Sequence, residues 1–405
     1  MVSNSTHTPL AAAERLAGVL AEHAAERDRE RRFPHIEIDQ MRQTGLFGLR
    51  VPGSSGGGGG SIGTYVRVVA ALAKGDSNVA QMYITHTYGV ELLNHVEAAP
   101  EIREAFYRRL VEDGLFIGNG YSERGTKTIF DFKTRLDPDP DGGWRLNGTK
   151  FYATGSGGGD VLYVSGKIEG AGDDDDHTTR DLGEVRMAFL ERETPGMTIH
   201  DDWDGMGQRT TSSGTIELDN VHVPDELCFR TEGFDQPESL FSIVGQAGFA
   251  AVFVGTAEAA LESGLSYVRT RARPWPHAEI DAATDDPYVI GHVGEMATRI
   301  ATARALLETA CETIDAAETT PDGDLRALAS VKTSEAKAVA TEVALEVSER
   351  IFQISGAGAT VSKYGMDRFW RDARTLTLHD PVDYKYKLVG DWALNDVNPP
   401  VTSFT

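Results

Sequence analysis

Cysteine is nearly absent. Cys228 and Cys311 are the only two in 405 residues, too few for a disulfide framework or a cysteine-built zinc site. Positive charge is also scarce: 39 Lys and Arg against 62 Asp and Glu leave a formal net charge of −23. A field of that sign repels nucleic acid and anionic membrane surfaces. No run approaches the ~18 apolar residues of a membrane span. The opening MVSNSTHTPLAAAERLAG lacks the basic and apolar regions of a secretion signal. A cytoplasmic enzyme is the expectation, without nucleic-acid or membrane partners. The acid is spread over DPDPDGG, EGAGDDDDH, ATDDPY and TTPDGD. Such diffuse acidity suits either work in high salt or ordinary solubility.

Generic site motifs are missing as well. No GxGxxG follows a strand, and there is no P-loop or HExxH. None of the eleven His pairs at i, i+4, so no metal site is expected. Gly53-Ser54-Ser55-Gly56-Gly57 has hydrolase-elbow spacing, but no strand precedes it.

What is present is a change of texture along the chain. Residues 1–115 read as a helical domain: a helix former-rich stretch at 9–32, a short amphipathic helix, and a Gly/Ser tract from Gly53 to Ser61 expected as a flexible loop. Helical faces then resume, broken and capped at GDSN (75–78), with one more short helix at 100–113. Residues 116–230 carry seven short β-type runs, FIGNGYSE, FDFKTRLDPD, WRLNGTKFYAT, DVLYVSGKIE, VRMAFLERE, MTIHDDW and GTIELDNVHV, separated by turn clusters such as DPDG and LNGT. Residues 231–405 are helical again, with long stretches at 239–271, 287–318 and 324–354 and a last helix after Pro381. Four such helices predict a bundle, and small residues such as Gly245, Gly248 and Gly255 allow close packing in the first. The class is α+β multidomain: N-terminal helices, a β-barrel-like middle, a C-terminal four-helix bundle.

Several strings in this order resemble the acyl-CoA dehydrogenase fold: IEIDQMRQTGLFGLRVP, GNGYSERG, LNGTKFYATGSGGGDVLYV, WDGMGQRTTSSGTIELDNVHVPDE and FQISGAGAT. RTRARPWPHAEIDAATDDPYVI, DDWDGMGQRTTSSGT and YGMDRFWRDARTLTLHDPVDYK resemble more closely the two-component flavin-dependent monooxygenases built on that fold. Where a dehydrogenase has a Glu base in a YEGT-like string, LHDP stands here, with His379 and Asp380.

The resemblance implies an enzyme that takes reduced, exchangeable FMN, or FAD, from a separate NAD(P)H-dependent flavin reductase. Oxygen adds at flavin C4a, and the resulting hydroperoxide oxygenates a small organic, sulfur-containing substrate. A homotetramer is implied too. His379 would carry a proton near neutrality; its bland reading is a helix-cap neighbour, with Asp380 capping the last helix ahead of Pro381. Asn119 and Thr154 line up with polar site residues of the resembled enzymes, and Ser122 and the Gly155 backbone could bond the flavin edge. The alternative for all of these is turn chemistry. Arg271 and Arg273 would hold flavin phosphate; the alternative is surface Arg. Gly356 and Gly358 would admit flavin from a neighbouring subunit. His86, Tyr152 and Trp203 are pocket candidates or core. An FAD-dependent acyl-CoA dehydrogenase and a flavin-free binding protein are the competing functions.

Overall fold

The computed structural model describes residues 8–129, 131–168, 185–231 and 236–405. The acidic tract EGAGDDDDH (169–177) and the first residue of FDFKTRLDPD lie outside them.

The N-terminal region holds five helices: α1 (Pro9–Glu30), α2 (His35–Arg42), α3 (Ile62–Gly75), α4 (Ser77–His95) and α5 (Pro100–Arg108). Local chemistry sets their ends. The Thr8 side chain accepts from the Ala11 amide at 3.2 Å, and Pro9 follows it in the first turn of α1. Asp76 stops α3 and caps α4, accepting from the Asn78 amide at 2.9 Å.

The Gly/Ser tract is not the free loop that composition predicted. Its backbone lies against Leu49 and Val51, with amides of Gly58, Gly59 and Gly60 donating to Gly48, Val51 and Leu49 carbonyls at 2.9–3.0 Å. A Cβ on Gly57 would stand 2.3 Å from the Val51 oxygen. Glycine is there for close approach as much as for freedom.

The middle region is one sheet of eight strands: β1 (Ile117–Gly120), β2 (Arg135–Pro138), β3 (Trp144–Lys150), β4 (Val161–Ile168), β5 (Val185–Glu191), β6 (Met197–Ile199), β7 (Ile216–Val223) and β8 (Cys228–Arg230). The order is β6-β7-β3-β2-β4-β5-β8, with β1 parallel to β4 beside β2's end. Sequence reading anticipated seven of these and missed β8, three residues long. One apolar face (Ile117, Tyr163, Phe189, Phe229) packs on α4 and α5, and the other (Leu146, Leu162, Leu190, Val221) forms its own core.

The C-terminal region has α6 (Phe241–Thr270), α7 (Pro287–Thr319), α8 (Gly323–Ser355), a short α9 (Asp367–Leu376) and α10 (Asp383–Asn395). The bundle is thus joined by a fifth helix, α9. The last helix begins two residues after Pro381 with no side-chain cap, so Asp380 is not a capping residue.

α6 corrects the expectation about long apolar stretches. It is long and apolar enough to cross a membrane, yet 94% of its most apolar window is buried in the protein. A helix apolar all round is a core helix. It packs on α3 and α8, and its glycines make room: a Cβ on Gly255 would meet the Ala70 oxygen at 2.3 Å.

Arg27 ties the N-terminal helices together. It is fully buried and donates to Glu37 Oε1 (2.6 Å), Asp76 Oδ2 (2.7 Å) and the Leu20 carbonyl (2.6 Å). Arg27→Met leaves two buried carboxylates without their cation. We expect a loss of about 3–5 kcal/mol, seen as a lower urea midpoint at pH 7; an unchanged midpoint would contradict this account.

Candidate functional site

The strand ends of the sheet and the loop 203–213 build the first group. The Asn119 amide donates to the Thr154 carbonyl at 3.2 Å, which joins the end of β1 to the segment after β3. Asn119 Oδ1 accepts from the Tyr121 amide at 2.7 Å. Its Nδ2 therefore remains as a donor, with no partner among the described residues.

Thr154 begins a relay of hydroxyls. Thr154 Oγ1 lies 2.8 Å from Ser213 Oγ, which lies 2.7 Å from Thr211 Oγ1. Thr211 donates to the Gln208 carbonyl at 2.9 Å. Each hydroxyl has one proton. Because the last must donate to a carbonyl, the protons all point toward Gln208, and the Thr154 oxygen is left as an acceptor. A donor amide and an acceptor oxygen thus stand side by side at the strand ends.

Trp203 shares the same anchor: its Nε1 donates to the Gln208 carbonyl at 2.7 Å. Its ring meets those of Phe151 and Tyr152 at centroid distances of 6.1 Å. Tyr152 is 52% exposed and sits at φ 59°, a backbone uncommon for a tyrosine. The Arg124 guanidinium lies 3.2 Å above the Phe151 ring. Ser122 joins this group through its carbonyl, which accepts from the Phe151 amide at 2.8 Å.

Two expected residues have other duties. The Gly155 amide is spent on the Thr211 carbonyl at 2.8 Å, and its own carbonyl takes the amides of Gly158 and Gly159. It shapes the turn and has no amide left for a ligand. His86 is 1% exposed; Nε2 donates to the Phe47 carbonyl at 2.9 Å and Nδ1 accepts from the Ile117 amide at 3.1 Å. With both nitrogens committed, it fastens α4 to β1 and does not line a pocket. Burial lowers its pKa to about 4.

The second group centres on His379, in the turn between α9 and α10. Its ring packs on Phe249 of α6 at 4.3 Å, and Nδ1 lies 3.1 Å from Asp380 Oδ1. The loop 203–213 docks on α9 just before this turn. The Gly207 amide donates to Thr375 Oγ1 at 2.9 Å, and the Gln208 amide to Asp372 Oδ1 at 2.6 Å. The first and second groups are thereby held on one side of the molecule. The His379 side chain is 42% exposed, yet burial is the largest influence on its proton affinity, which it lowers. The ring is thus partly open to solvent and partly packed against protein.

The third group lies elsewhere. Arg271 and Arg273 end α6, 22 residues beyond Phe249, or about 33 Å at ~1.5 Å per residue. Arg271 reaches the Tyr364 hydroxyl at 3.5 Å, and Tyr364 packs on Tyr267. Arg273 has no ion-pair partner among the described residues. Gly356, at φ 73° and ψ −179°, ends α8 in a backbone that glycine alone takes readily. A Cβ on Gly358 would stand 2.5 Å from the Tyr267 hydroxyl. This group is coherent in itself, but no single riboflavin phosphate spans from it to His379.

Sequence reasoning missed Ser213, Thr211 and Gln208, although the GMGQRTTSSG string contains them. It also missed Lys337 and Lys385, which face Asp380 from α8 and α10. Among the described residues no His, Cys, Asp and Glu group could hold a metal ion.

A helical region, a sheet and a helical bundle follow one another in this order, and the loop 203–213 ties the strand ends to the bundle segment α9. Family models described as the acyl-CoA dehydrogenase N-terminal and C-terminal domains match residues 10–114 and 247–384. The chain is 36% identical to a dibenzothiophene monooxygenase of Rhodococcus erythropolis, over 98% of this chain and 95% of that one. It is 31% identical to a probable FMNH2-dependent monooxygenase, SfnC, of Pseudomonas putida, over 98% of each. The FMN-bound crystal structure of TdsC from Paenibacillus sp. A11-2 superposes with a TM-score of 0.89 at 31% identity, covering 98% of this chain and all of the other. The chain belongs to the acyl-CoA dehydrogenase family.

His86 makes a pH prediction. Its pKa is about 4 when folded and ~6.5 when unfolded. The unfolded state therefore binds more protons between these values. Stability from this site is complete above pH ~6.5 and lost as pH falls toward 4, by about 3 kcal/mol in all. His86→Gln should flatten the rise of stability between pH 4 and 6.5, measured by denaturant midpoints; an equally steep rise in the variant would refute it.

Proposed function

We propose that this protein is a flavin-dependent monooxygenase that takes reduced FMN from a separate NAD(P)H-dependent reductase and oxygenates a small organic sulfur compound. The observation that carries the reading is the pairing of an uncharged donor and acceptor, Asn119 Nδ2 and Thr154 Oγ1, with a partly exposed imidazole at His379. The residues fit a flavin: short polar side chains suit a ring edge, and the Arg273 guanidinium, without an ion-pair partner among the described residues, suits a phosphate with Arg271 beside it. When bound, the flavin supplies the oxygen-activating chemistry.

The chain's own residues bind, orient and manage protons. Asn119 and Thr154 offer hydrogen bonds of fixed sense to the ring edge. Trp203 and Tyr152 present aromatic surface to a flat apolar substrate. His379 holds or releases a proton beside the reacting atoms. The family's alternative reaction, dehydrogenation of an acyl-CoA, needs a free carboxylate base. The one carboxylate in this turn, Asp380, is bound by two lysines and His379, which disfavours that reading.

The ~33 Å along α6 between Phe249 and Arg271 supports a further element. In this proposal, Arg271, Arg273, Gly356 and Gly358 of one copy serve the ring-binding group of another. The enzyme is then a homo-oligomer, a tetramer in the reading that the resemblance implies, and a cytoplasmic one.

Three tests check this reading. The purified protein with NADH and a thiophene or sulfide substrate should form no product, and adding an FMN reductase should start turnover; product without reductase would refute the two-component scheme. In the same assay, His379→Gln should lower product by ~10²-fold or more, with hydrogen peroxide released instead. Arg273→Ala should weaken FMN binding by ~10–100-fold without lowering thermal stability. Wild-type affinity in Arg273→Ala, by fluorescence titration, would remove Arg273 from the site.

A further inference from the structure

His379 does not stand alone. Asp380 Oδ1 faces His379 Nδ1 at 3.1 Å and also accepts from Lys337 Nζ of α8. Asp380 Oδ2 lies 3.1 Å from Lys385 Nζ of α10. Lys337 in turn donates to Gln246 Oε1 of α6 at 2.7 Å. Asp380, Lys337 and Lys385 are all buried. One carboxylate therefore gathers α6, α8 and α10 around a single imidazole.

Resting on the reading of His379 as the proton-handling group, we propose that Asp380, clamped between Lys337 and Lys385, is its positioning residue. It fixes the imidazole with Nδ1 protonated and leaves Nε2 as the nitrogen free to meet a ligand.

The chemistry follows from donor counting. Burial alone would raise the Asp380 carboxyl, but the hydrogen bond from His379 and the charges of Lys337 and Lys385 hold it well below the usual range. As a carboxylate it can only accept, so the proton between it and His379 belongs to Nδ1. Neutral His379 then presents a lone pair at Nε2, which takes no hydrogen bond among the described residues. It accepts a proton or hydrogen bond there first, and donates only as imidazolium. That refines the simple expectation of a proton donor. Every charged neighbour of the ring enters this balance. Asp380 favours the imidazolium, Lys337 and Lys385 oppose it, and Phe249 and Phe404 add uncharged walls.

The test reads His379 directly, in flavin-free full-length protein. Diethylpyrocarbonate modifies only neutral imidazole, and mass spectrometry of the His379 peptide gives the modification rate against pH. Asp380→Asn removes the favouring charge, so the midpoint should move to lower pH, by roughly one unit or more. Lys337→Gln keeps a polar partner for Gln246 but removes an opposing charge, so its midpoint should move to higher pH. Shifts of opposite sign are not what a merely structural role produces. Midpoints that stay put, or move the same way in both variants, overturn the proposal. Should Asp380→Asn fail to fold, an unmoved midpoint in Lys337→Gln overturns it alone. Because neither flavin nor substrate is used, this result is separate from the function. Wild-type product yield in His379→Gln would sink the monooxygenase role of His379 whatever the midpoints did.

Discussion

The strand-end group of the candidate site is positioned from Asp372. This buried carboxylate on α9 accepts from the Gln208 amide (2.6 Å), Ser77 Oγ (3.1 Å) and Asn78 Nδ2 (3.0 Å). Those three donors come from the loop beside the sheet and from the start of α4, so one side chain joins all three regions of the chain. Neighbouring pairs reinforce it: Arg371 holds Asp28 of α1 with both terminal nitrogens, at 3.0 and 2.5 Å. The amide of Gln208 is fixed by Asp372, and its carbonyl then orients Trp203 and ends the relay that begins at Thr154. Removing that docking would leave the strand-end hydroxyls with no defined proton sense.

A second constraint is the length and smallness of α6. Its glycines let α3, α4 and the Tyr88 hydroxyl approach the helix axis. That close packing is what allows a 30-residue helix to run through the centre without cavities. It also separates its ends. The ring-facing residue Phe249 and the phosphate-suited Arg271 are far apart because a straight helix cannot be shortened. A site that needs both is therefore more easily completed by a second copy than by one chain.

Much of the architecture was legible in the sequence because it rests on local signals. Helix-former content and the GDSN break located α1, α3 and α4, and short β-type runs with turn clusters located seven strands. The bounds of α6, α7 and α8 fell within two residues of expectation. The misses have physical reasons. The Gly tract reads as flexible by composition, whereas its need is close approach to Val51, a tertiary fact. β8 is too short to show alternation. α9 packs through long-range pairs such as Asp372–Gln208 that no local window contains. At the candidate site, Asn119, Thr154, Trp203 and His379 are suggested by the ordered family strings. The commitment of His86 and Gly155 to internal hydrogen bonds was not, because a sequence shows donors and acceptors but not their partners. Lys337 is a lysine among alanines on a long helix, and nothing local distinguishes it from a solvated one.

The two buried carboxylates of the α9 segment show how much surroundings decide. Asp372 and Asp380 sit eight residues apart and have opposite proton affinities. Burial, with Asp28 and Asp76 nearby, pushes Asp372 up to about 7 against the Gln208 amide and Arg371. Asp380, facing two lysines and an imidazole, is pushed the other way. Near neutrality Asp380 is thus a constant acceptor, fit to orient His379 at any working pH. Asp372 changes charge there. Its folded pKa lies above the unfolded value of ~3.9, so the stability it contributes is full below that value and declines as pH rises through about 7. His86 has the reverse slope, gaining stability as pH rises from about 4 to ~6.5. Over that shared window the two groups offset one another. The junction that orients the relay and the junction that fastens α4 to β1 therefore respond to acid in opposite senses.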